Sequence, residues 1–297
     1  MQIERLGIPV SGGLRLEGVV AWPARPKALA IAVPLVGGTA TQQIRLFRTL
    51  LRGGTGLASF TFRGHPRSEG TFSFAATLTD TAEAVERVMA RAAERGVPVH
   101  LLGASYATIP LVLAVSRHAE WAIRSFVAVS GFPGLEDLLA LFGPFLAGYA
   151  RITGRGTTPE DLVRAVAADA AALDQALFRA ALRDYLAHRF PSISVSSERF
   201  EVLEYRRVNL VNEVLAYGHF LLEARRGAST DLPSLWIYAR GDDVLDLAGE
   251  EARERYRRRV LSVAPKAVFY EADVDHWANG PDHDLVLART AAFIREH

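Results

Sequence analysis

A serine lies where a predicted strand meets a predicted helix. In the segment VHLLGASYA (residues 99–107), a buried strand leads directly to Ser105, and the small residues Gly103 and Ala107 stand two positions to either side. A nucleophile elbow needs this pattern, because its tight turn leaves no room for larger neighbours; alanine here replaces the last glycine of the usual G-x-S-x-G. The pattern predicts a nucleophile, and the alternative interpretation is a serine that caps a helix.

Two later strands end near side chains that could activate this serine. A serine hydroxyl is a weak nucleophile until a histidine takes its proton and a carboxylate orients that histidine. The strand LWIYA (residues 235–239) leads into Asp242 and Asp243, and the strand at residues 267–271 is followed by His276. Open α/β sheets place their sites at the carboxyl ends of strands. The three positions together predict a triad of serine, acid and histidine.

The elements around these residues alternate between strand and helix. An opening hairpin (3–22) precedes predicted strands at 28–33, 57–62, 97–102 and 123–129, with helices at 41–51, 78–95 and 106–117 between them. After the strand at 235–239 come a helix at 247–263, the strand at 267–271 and a helix at 283–296. This order is typical of a mostly parallel α/β sheet with helices on both faces.

The segment between the fourth and fifth strands of this series, residues 135–227, contains no convincing strand. It shows helical patterns at 135–150, 159–188 and 198–226, and it is too long for a loop. We expect a helical cap, which divides the chain into a first core part (1–134), the cap insertion (135–230) and a second core part (231–297). Aromatic residues are expected to pack the cap, and some to line an apolar pocket above Ser105: Phe142, Phe145, Tyr149, Phe178, Tyr185, Phe190, Phe200, Tyr205, Tyr217 and Phe220.

Composition excludes several classes of protein. The 297 residues contain no cysteine, which rules out disulfide scaffolds, thiolate catalysis and cysteine-ligated zinc. The 34 basic and 33 acidic residues nearly cancel, so no overall field favours nucleic acid or a membrane surface as partner. No targeting segment or membrane-spanning run is evident, and the expectation is a cytoplasmic protein without metal or cofactor. The oligomeric state stays open.

Two segments, together with the elbow, resemble the α/β-hydrolase superfamily. ALAIAVPLVGG (residues 28–38) is similar to that family's first buried strand and oxyanion loop, and FTFRGHPRSEG (residues 60–70) is similar to its D-x-R-G-H-G-x-S segment, with Thr61 in place of the aspartate. The resemblance covers residues 1–134 and 231–297. It implies the α/β-hydrolase fold, a mostly parallel twisted sheet with an inserted helical cap.

The resemblance also implies roles for individual residues. The oxyanion would be bound by the N–H of Tyr106, which follows the nucleophile, and by that of Val36, with Leu35 as the alternative; Pro34 has no N–H. The acid is expected to be Asp243, because Gly241 precedes it and Val244-Leu245 follow, close to the family's G-x-x-D-x-x-V pattern. Asp242 is the alternative. Whichever aspartate is not the acid would bond its own turn backbone.

The narrower resemblance is to the acyl-transferase-type thioesterases of bacterial luminescence, whose elbow is also A-S-x-S-A-like and whose acid also follows an Asp-Asp pair. It implies a serine hydrolase that cleaves an acyl thioester or ester through an acyl-enzyme. A thioesterase with a long or bulky acyl chain is favoured, its substrate being free or carried by acyl carrier protein or coenzyme A. The alternatives are an acyltransferase and a non-hydrolytic cyclase or binding protein. Dehalogenases and epoxide hydrolases need an aspartate where Ser105 stands.

Two other features receive structural interpretations. His65 is expected to stabilise its own loop rather than to take part in catalysis. The basic run Arg253–Arg259 is expected to be a solvated helix face balanced by nearby glutamates, rather than a docking site for an acidic carrier protein.

Overall fold

Eight strands form one sheet in the computed structural model, which describes residues 1–189, 209–240, 242–276 and 278–297. The strands are β1 (Gln2–Val10), β2 (Leu14–Trp22), β3 (Ala28–Ala32), β4 (Thr55–Phe60), β5 (Val99–Ala104), β6 (Ile123–Val129), β7 (Ser234–Ala239) and β8 (Ala267–Ala272). Their order across the sheet is β1-β2-β4-β3-β5-β6-β7-β8. β1 and β2 form the predicted hairpin, β2 pairs antiparallel with β4, and all other neighbours are parallel. The prediction of a mostly parallel α/β sheet is confirmed.

The central strands are buried on both faces, as their continuous apolar sequences indicate. In β3, Leu29 and Ile31 enter one apolar core while Ala28 and Ala30 enter the other. The two cores are separated by the sheet because successive side chains of a strand point to opposite faces. Helices therefore cover both faces, which is the layered arrangement that parallel strands require.

Ten α-helices lie in the described part of the chain. They are α1 (Ala40–Leu46), α2 (Thr49–Arg52), α3 (Phe74–Glu94), α4 (Thr108–Arg117), α5 (Leu135–Ile152), α6 (Pro159–Ala168), α7 (Gln175–Arg189), α8 (Leu210–Arg226), α9 (Glu250–Val263) and α10 (His283–Glu296). The helix predicted at 41–51 is split into α1 and α2. The helix predicted at 159–188 is also interrupted, because Asp169 and Asp174 accept hydrogen bonds from backbone N–H groups that follow them. Such local bonds compete with a continuous helix.

Helices fill the described part of the segment between β6 and β7. α5, α6, α7 and α8 pack on one another, and α8 also packs on α3 of the sheet layer. Aromatic rings join them: the ring of Phe178 lies edge-on to those of Phe145 and Tyr149, with centroids 5.1 and 4.9 Å away. Residues 198–208 of the predicted third helix, with Phe190, Phe200 and Tyr205, lie outside the described residues. Within the described ranges, none of the helices combines the length and apolar character of a membrane span.

Candidate active site

Ser105 occupies a sharp turn at the carboxyl end of β5. Its backbone has φ of +50°, a left-handed conformation that residues other than glycine rarely adopt. A Cβ on Gly103 would lie 3.1 Å from Leu111 Cδ1 and 3.3 Å from Thr108 Cα, so any side chain there would have to displace these neighbours by a few tenths of an ångström. Ala107 is fully buried on the other side. The turn that the small flanking residues predicted is therefore formed, and it lifts the Ser105 side chain away from the helix that follows.

Ser105, His276 and Asp242 form one continuous hydrogen-bonded chain. Ser105 Oγ lies 2.8 Å from His276 Nε2, and His276 Nδ1 lies 2.8 and 3.0 Å from the two carboxylate oxygens of Asp242. A carboxylate accepts hydrogen bonds, so Nδ1 carries the proton and Nε2 is left to accept the serine hydroxyl. All three residues are less than 9% exposed. The arrangement can deprotonate a serine during attack on a carbonyl carbon.

The carboxylate that bonds His276 is that of Asp242, whereas the sequence favoured Asp243. β7 ends at Ala239, and Asp242 N–H donates to its carbonyl, which turns the backbone so that Asp242 is buried beside His276. Asp242 Oδ1 also accepts from the N–H groups of Val244 and Leu245 at 3.0 Å. Asp243 is only partly buried and begins the following turn. The expectation for Asp243 is corrected, because the turn starts one residue earlier than the family pattern suggested.

The loop after β3 is the expected second source of oxyanion donors. Leu35 lines a cavity of about 30 Å³ together with Ser105 and His276, whereas Val36 is not among the described lining residues. Gly37 and Gly38 use their N–H groups inside the protein, on His65 Nε2 and on Leu35 O. In the described hydrogen bonds, the N–H groups of Leu35 and Val36 have no acceptor. The assignment of Val36 and Tyr106 as oxyanion donors stays a prediction, with Leu35 as its alternative.

His65 holds this loop in place. Its Nε2 accepts from Gly37 N–H at 2.8 Å, and its Nδ1 lies 3.2 Å from the carbonyl oxygen of Arg63, to which it donates. Burial lowers the pKa of His65, which favours the neutral ring that this pair of bonds needs. The loop-stabilising role expected for His65 agrees with these bonds. The sequence did not reveal that His65 also connects its loop to the loop after β3.

Thr61, which stands where the similar α/β-hydrolase segment has an aspartate, takes part in a short polar network. Thr61 Oγ1 accepts from Ala40 N–H at the start of α1 and donates to Glu17 Oε2 at 3.2 Å. Glu17, on β2, also pairs with Arg5 and Arg67. Nothing in the sequence around Thr61 pointed to Glu17, which is 44 positions away.

A second, larger cavity lies beneath the inserted helices. It has a volume of about 90 Å³, and we call it the apolar cavity. Its described lining comes from the loop before α3 and from α5, α7 and α8: Phe72, Phe74, Leu138, Leu139, Phe142, Phe145, Leu146, Phe178, Leu182, Leu210, Glu213, Val214, Tyr217 and Phe220. The ring of Phe74 stands 5.0 Å, edge-on, from that of Tyr106, the residue after the nucleophile. Phe74 therefore both lines this cavity and contacts the side chain of the residue that follows Ser105.

The charged residues elsewhere are used within the fold. Across the described ranges, no group of three or more histidine, aspartate or glutamate side chains is placed to hold a metal ion. Asp282 accepts from Asp273 N–H and Asp275 from Asn279 N–H, so these carboxylates organise the turns around His276. On α9, arginines pair with glutamates of the same helix and with Glu271 and Asp137. This pairing agrees with a charge-balanced helix face.

Solved structures with the same architecture include an esterase, a serine hydrolase and an epoxide hydrolase. An esterase of Pyrococcus furiosus is 16% identical with a TM-score of 0.59, covering 99% of this chain and 90% of that one. A serine hydrolase of Cycloclasticus zankles is 14% identical with a TM-score of 0.60, covering 99% and 98%. The epoxide hydrolase CorEH is 14% identical with a TM-score of 0.61, covering 99% of both chains. The chain has the α/β-hydrolase fold.

Neither a protein-family model nor a curated protein matches the sequence. The similarity to known proteins is therefore one of architecture, at identities that establish the α/β-hydrolase fold alone. The resemblance read from the elbow and from the segments at 28–38 and 60–70 is confirmed at that level. The narrower resemblance to luminescence thioesterases stays a prediction.

Proposed function

We propose that this protein is a serine hydrolase that cleaves a carboxylic ester through an acyl-enzyme. The observation that supports this is the hydrogen-bonded chain from Ser105 through His276 to Asp242, with contacts of 2.8 to 3.0 Å. Such a constellation is identified by its geometry and by the role of each member. Its position at the carboxyl ends of β5, β7 and β8 agrees with where α/β sheets hold reacting groups.

In the proposed reaction, Ser105 Oγ attacks the ester carbonyl carbon while its proton passes to His276 Nε2. Asp242 keeps Nδ1 protonated and stabilises the positive charge that develops on the ring. The N–H groups of Tyr106 and Val36 bind the oxygen that becomes negative. His276 then protonates the leaving alkoxide, and the C–O bond breaks to give the acyl-enzyme and an alcohol. Water, deprotonated by His276, attacks the acyl carbon, and Ser105 leaves with its proton restored.

An ester fits this molecule better than a carrier-bound thioester. An acidic carrier protein would need unpaired positive charge near the site, but four of the five arginines of α9 (Arg253, Arg255, Arg257 and Arg259) are already paired with carboxylates. Free thioesters and coenzyme A thioesters use the same acyl-enzyme chemistry and remain alternative substrates in this proposal. An acyltransferase would differ only in the acceptor, an alcohol or amine in place of water.

The apolar cavity supports a shorter acyl chain than the sequence suggested. A cavity of about 150 Å³ in another protein holds benzene. The apolar cavity, at about 90 Å³, has room for three or four carbon atoms at the same density. We therefore propose esters of short acids, with the acyl group extending from Ser105 past Phe74.

The names of similar structures suggest both an esterase and an epoxide hydrolase. Opening an epoxide in this fold uses an aspartate at the elbow, whereas this chain has Ser105 there. Two of the structures named above are described as an esterase and as a serine hydrolase. The elbow residue thus favours the ester reaction.

The proposal can be tested with a fluorophosphonate probe, which phosphonylates an activated serine. We expect stoichiometric labelling of the wild type, with the adduct located at Ser105 by peptide mass spectrometry. Ser105→Ala should be unlabelled, while the control Ser262→Ala, changed on the exposed side of α9, should react like the wild type. Labelling of Ser105→Ala to the wild-type extent, or absence of hydrolysis of any short-chain ester or thioester by the wild type, would refute the assignment.

A further inference from the structure

The apolar cavity contains one carboxyl group, that of Glu213 in the first turns of α8. Its other described lining residues are phenylalanine, leucine, valine and a single tyrosine. An ionisable group among such side chains is unusual, since a buried charge is disfavoured unless something pairs with it. Glu213 plays no part in the triad, so its position needs a separate explanation.

The two oxygens of Glu213 have different surroundings. Oε2 accepts a hydrogen bond from Phe74 N–H at 3.1 Å. Oε1 is buried, and no donor among the described residues reaches it. Burial raises the pKa of Glu213 to about 7, with the bond from Phe74 opposing the shift. The carboxyl group is thus fixed by one oxygen and offers the other as an unused acceptor.

Glu213 is connected to Tyr106, the residue that follows Ser105, through a short series of contacts. Phe74, which donates to Glu213, also accepts a hydrogen bond at its carbonyl from Tyr106 Oη, at 3.2 Å. Thr77 Oγ1 lies 2.7 Å from the same Tyr106 hydroxyl. An acyl chain that extended from Ser105 past Phe74 would enter the cavity beside Glu213, because Phe74 both lines the cavity and bonds Glu213.

We propose that Glu213 determines substrate specificity by accepting a hydrogen bond from a hydroxyl group on an otherwise apolar acyl chain. This inference rests on the proposed ester hydrolysis and adds the class of substrate, a short hydroxyacyl ester. A hydroxyl group fits because it has one proton to donate and Oε1 is one acceptor. An ammonium group has three protons, and among the other described lining side chains only the Tyr217 hydroxyl could accept one of the remaining two, so at least one proton would be left without a partner.

The test compares methyl 3-hydroxyhexanoate and methyl 6-hydroxyhexanoate with methyl hexanoate, by acid release at pH 8.5, where the Glu213 carboxyl group is ionised. We expect kcat/KM of the wild type to favour at least one hydroxy ester over the parent by tenfold or more. In Glu213→Leu the ratio should fall to about one, whatever the change in the rate on methyl hexanoate itself. The control Glu251→Gln changes the same charge on an exposed side chain of α9 and should keep the wild-type ratio.

Glu213→Gln gives a sharper version of the test. The amide oxygen should keep the bond from Phe74 N–H, which turns the NH₂ group into the cavity as a donor. The preference should therefore change from the hydroxy esters to methyl 5-oxohexanoate, whose ketone only accepts. A glutamine variant that prefers a hydroxy ester over methyl 5-oxohexanoate by tenfold would contradict the proposed role of Oε1.

Binding separates this proposal from the proposed reaction. Ser105→Ala should bind the preferred hydroxy ester at least tenfold more tightly than methyl hexanoate in calorimetry, and Ser105→Ala/Glu213→Leu should bind both equally. Retained turnover in Ser105→Ala would refute the reaction but leave this binding comparison valid. Equal kcat/KM of the wild type for the hydroxy esters and methyl hexanoate, together with equal affinity of Ser105→Ala for them, would overturn the hydroxyl specificity. So would a preference for methyl 6-aminohexanoate over both hydroxy esters.

Discussion

The carboxyl edge of the sheet and the region beneath the inserted helices differ in how their buried polar groups are hydrogen-bonded. At the edge, Asp242 receives hydrogen bonds from His276 and from two backbone N–H groups, and His276 in turn receives the hydroxyl of Ser105. Beneath the inserted helices, Glu213 Oε1 lies in an apolar cavity and meets no donor from the described residues. One region is complete as it stands, and the other retains an unused acceptor.

The difference follows from what positions each region. The triad residues follow β5, β7 and β8, whose spacing is fixed by backbone hydrogen bonds between neighbouring strands of the sheet. The apolar cavity is bounded by side chains from helices that only pack on one another. We infer that the sheet determines the reaction and the inserted helices determine the substrate. Substitutions in the two regions should therefore affect different properties.

The largest expected effect is that of Ser105→Ala. Removing the nucleophile should lower kcat/KM for p-nitrophenyl butanoate by about 10³-fold or more, because triad members act as a unit. The free energy of unfolding, from urea titration, should change by about 1 kcal/mol or less, since the substitution removes one oxygen atom and its hydrogen bond to His276. An active variant would contradict the assignment of Ser105 as nucleophile. An inactive variant that is also unfolded would show that Ser105 is needed for the fold and not only for the reaction.

The two neighbouring aspartates provide the next comparison. Asp242→Asn should lower kcat by about 10³-fold or more, because an amide cannot hold His276 with the proton on Nδ1. Asp243→Asn, an equally small change one residue away, should cost less than about tenfold. Steady-state rates with one p-nitrophenyl ester measure both. If the ranks were reversed, the acid would be Asp243, as the family pattern suggested.

The aspartate assignment also shows what the sequence could predict. The succession of strands and helices along the chain, the elbow and the three strand ends follow from local patterns, since apolar runs, turn residues and small flanking residues are visible within about ten positions. The choice between Asp242 and Asp243 depends on one residue of register in a turn, which no local pattern fixes. The bond from Gly37 to His65 joins residues 28 positions apart, and that from Phe74 to Glu213 joins residues 139 apart. Such pairs exist only after the chain has folded.

A smaller effect is expected in the stability of Glu213→Gln. In the unfolded chain the carboxyl group has its ordinary pKa of 4.5, and in the folded protein its pKa is about 7. The folded state thus holds the proton more tightly, so wild-type stability falls as pH rises from about 4.5 to 7 and the loss is complete above that. Glutamine does not ionise, so the free energy of unfolding of the variant should rise relative to that of the wild type by up to about 3 kcal/mol between pH 4.5 and 7.

Urea titrations of both proteins at pH 4.5, 6 and 8.5 would measure this difference. Tyr106 and Tyr217 are the other titratable groups described near Glu213, and burial raises the pKa of both phenols, so neither ionises in this range. Glu251→Gln, on the exposed face of α9, should show the same stability as the wild type at each pH. A constant difference between Glu213→Gln and the wild type would mean that the carboxyl group titrates as it does in water.

The smallest expected effect is the change in kcat/KM for each methylene added to the acyl chain. Each methylene buried in the apolar cavity should contribute about 0.8 kcal/mol, or about fourfold in kcat/KM. The cavity of about 90 Å³ has room for three or four carbon atoms beyond the carbonyl and α carbons, so the increase should stop near pentanoyl or hexanoyl, and longer p-nitrophenyl esters should gain nothing. Phe142→Leu, which removes part of a ring from the cavity wall, should move the maximum by one or two carbons and leave the rate on the acetyl ester unchanged. A maximum at decanoyl would restore the long-chain expectation, and a flat profile would mean that the inserted helices do not bind the acyl group.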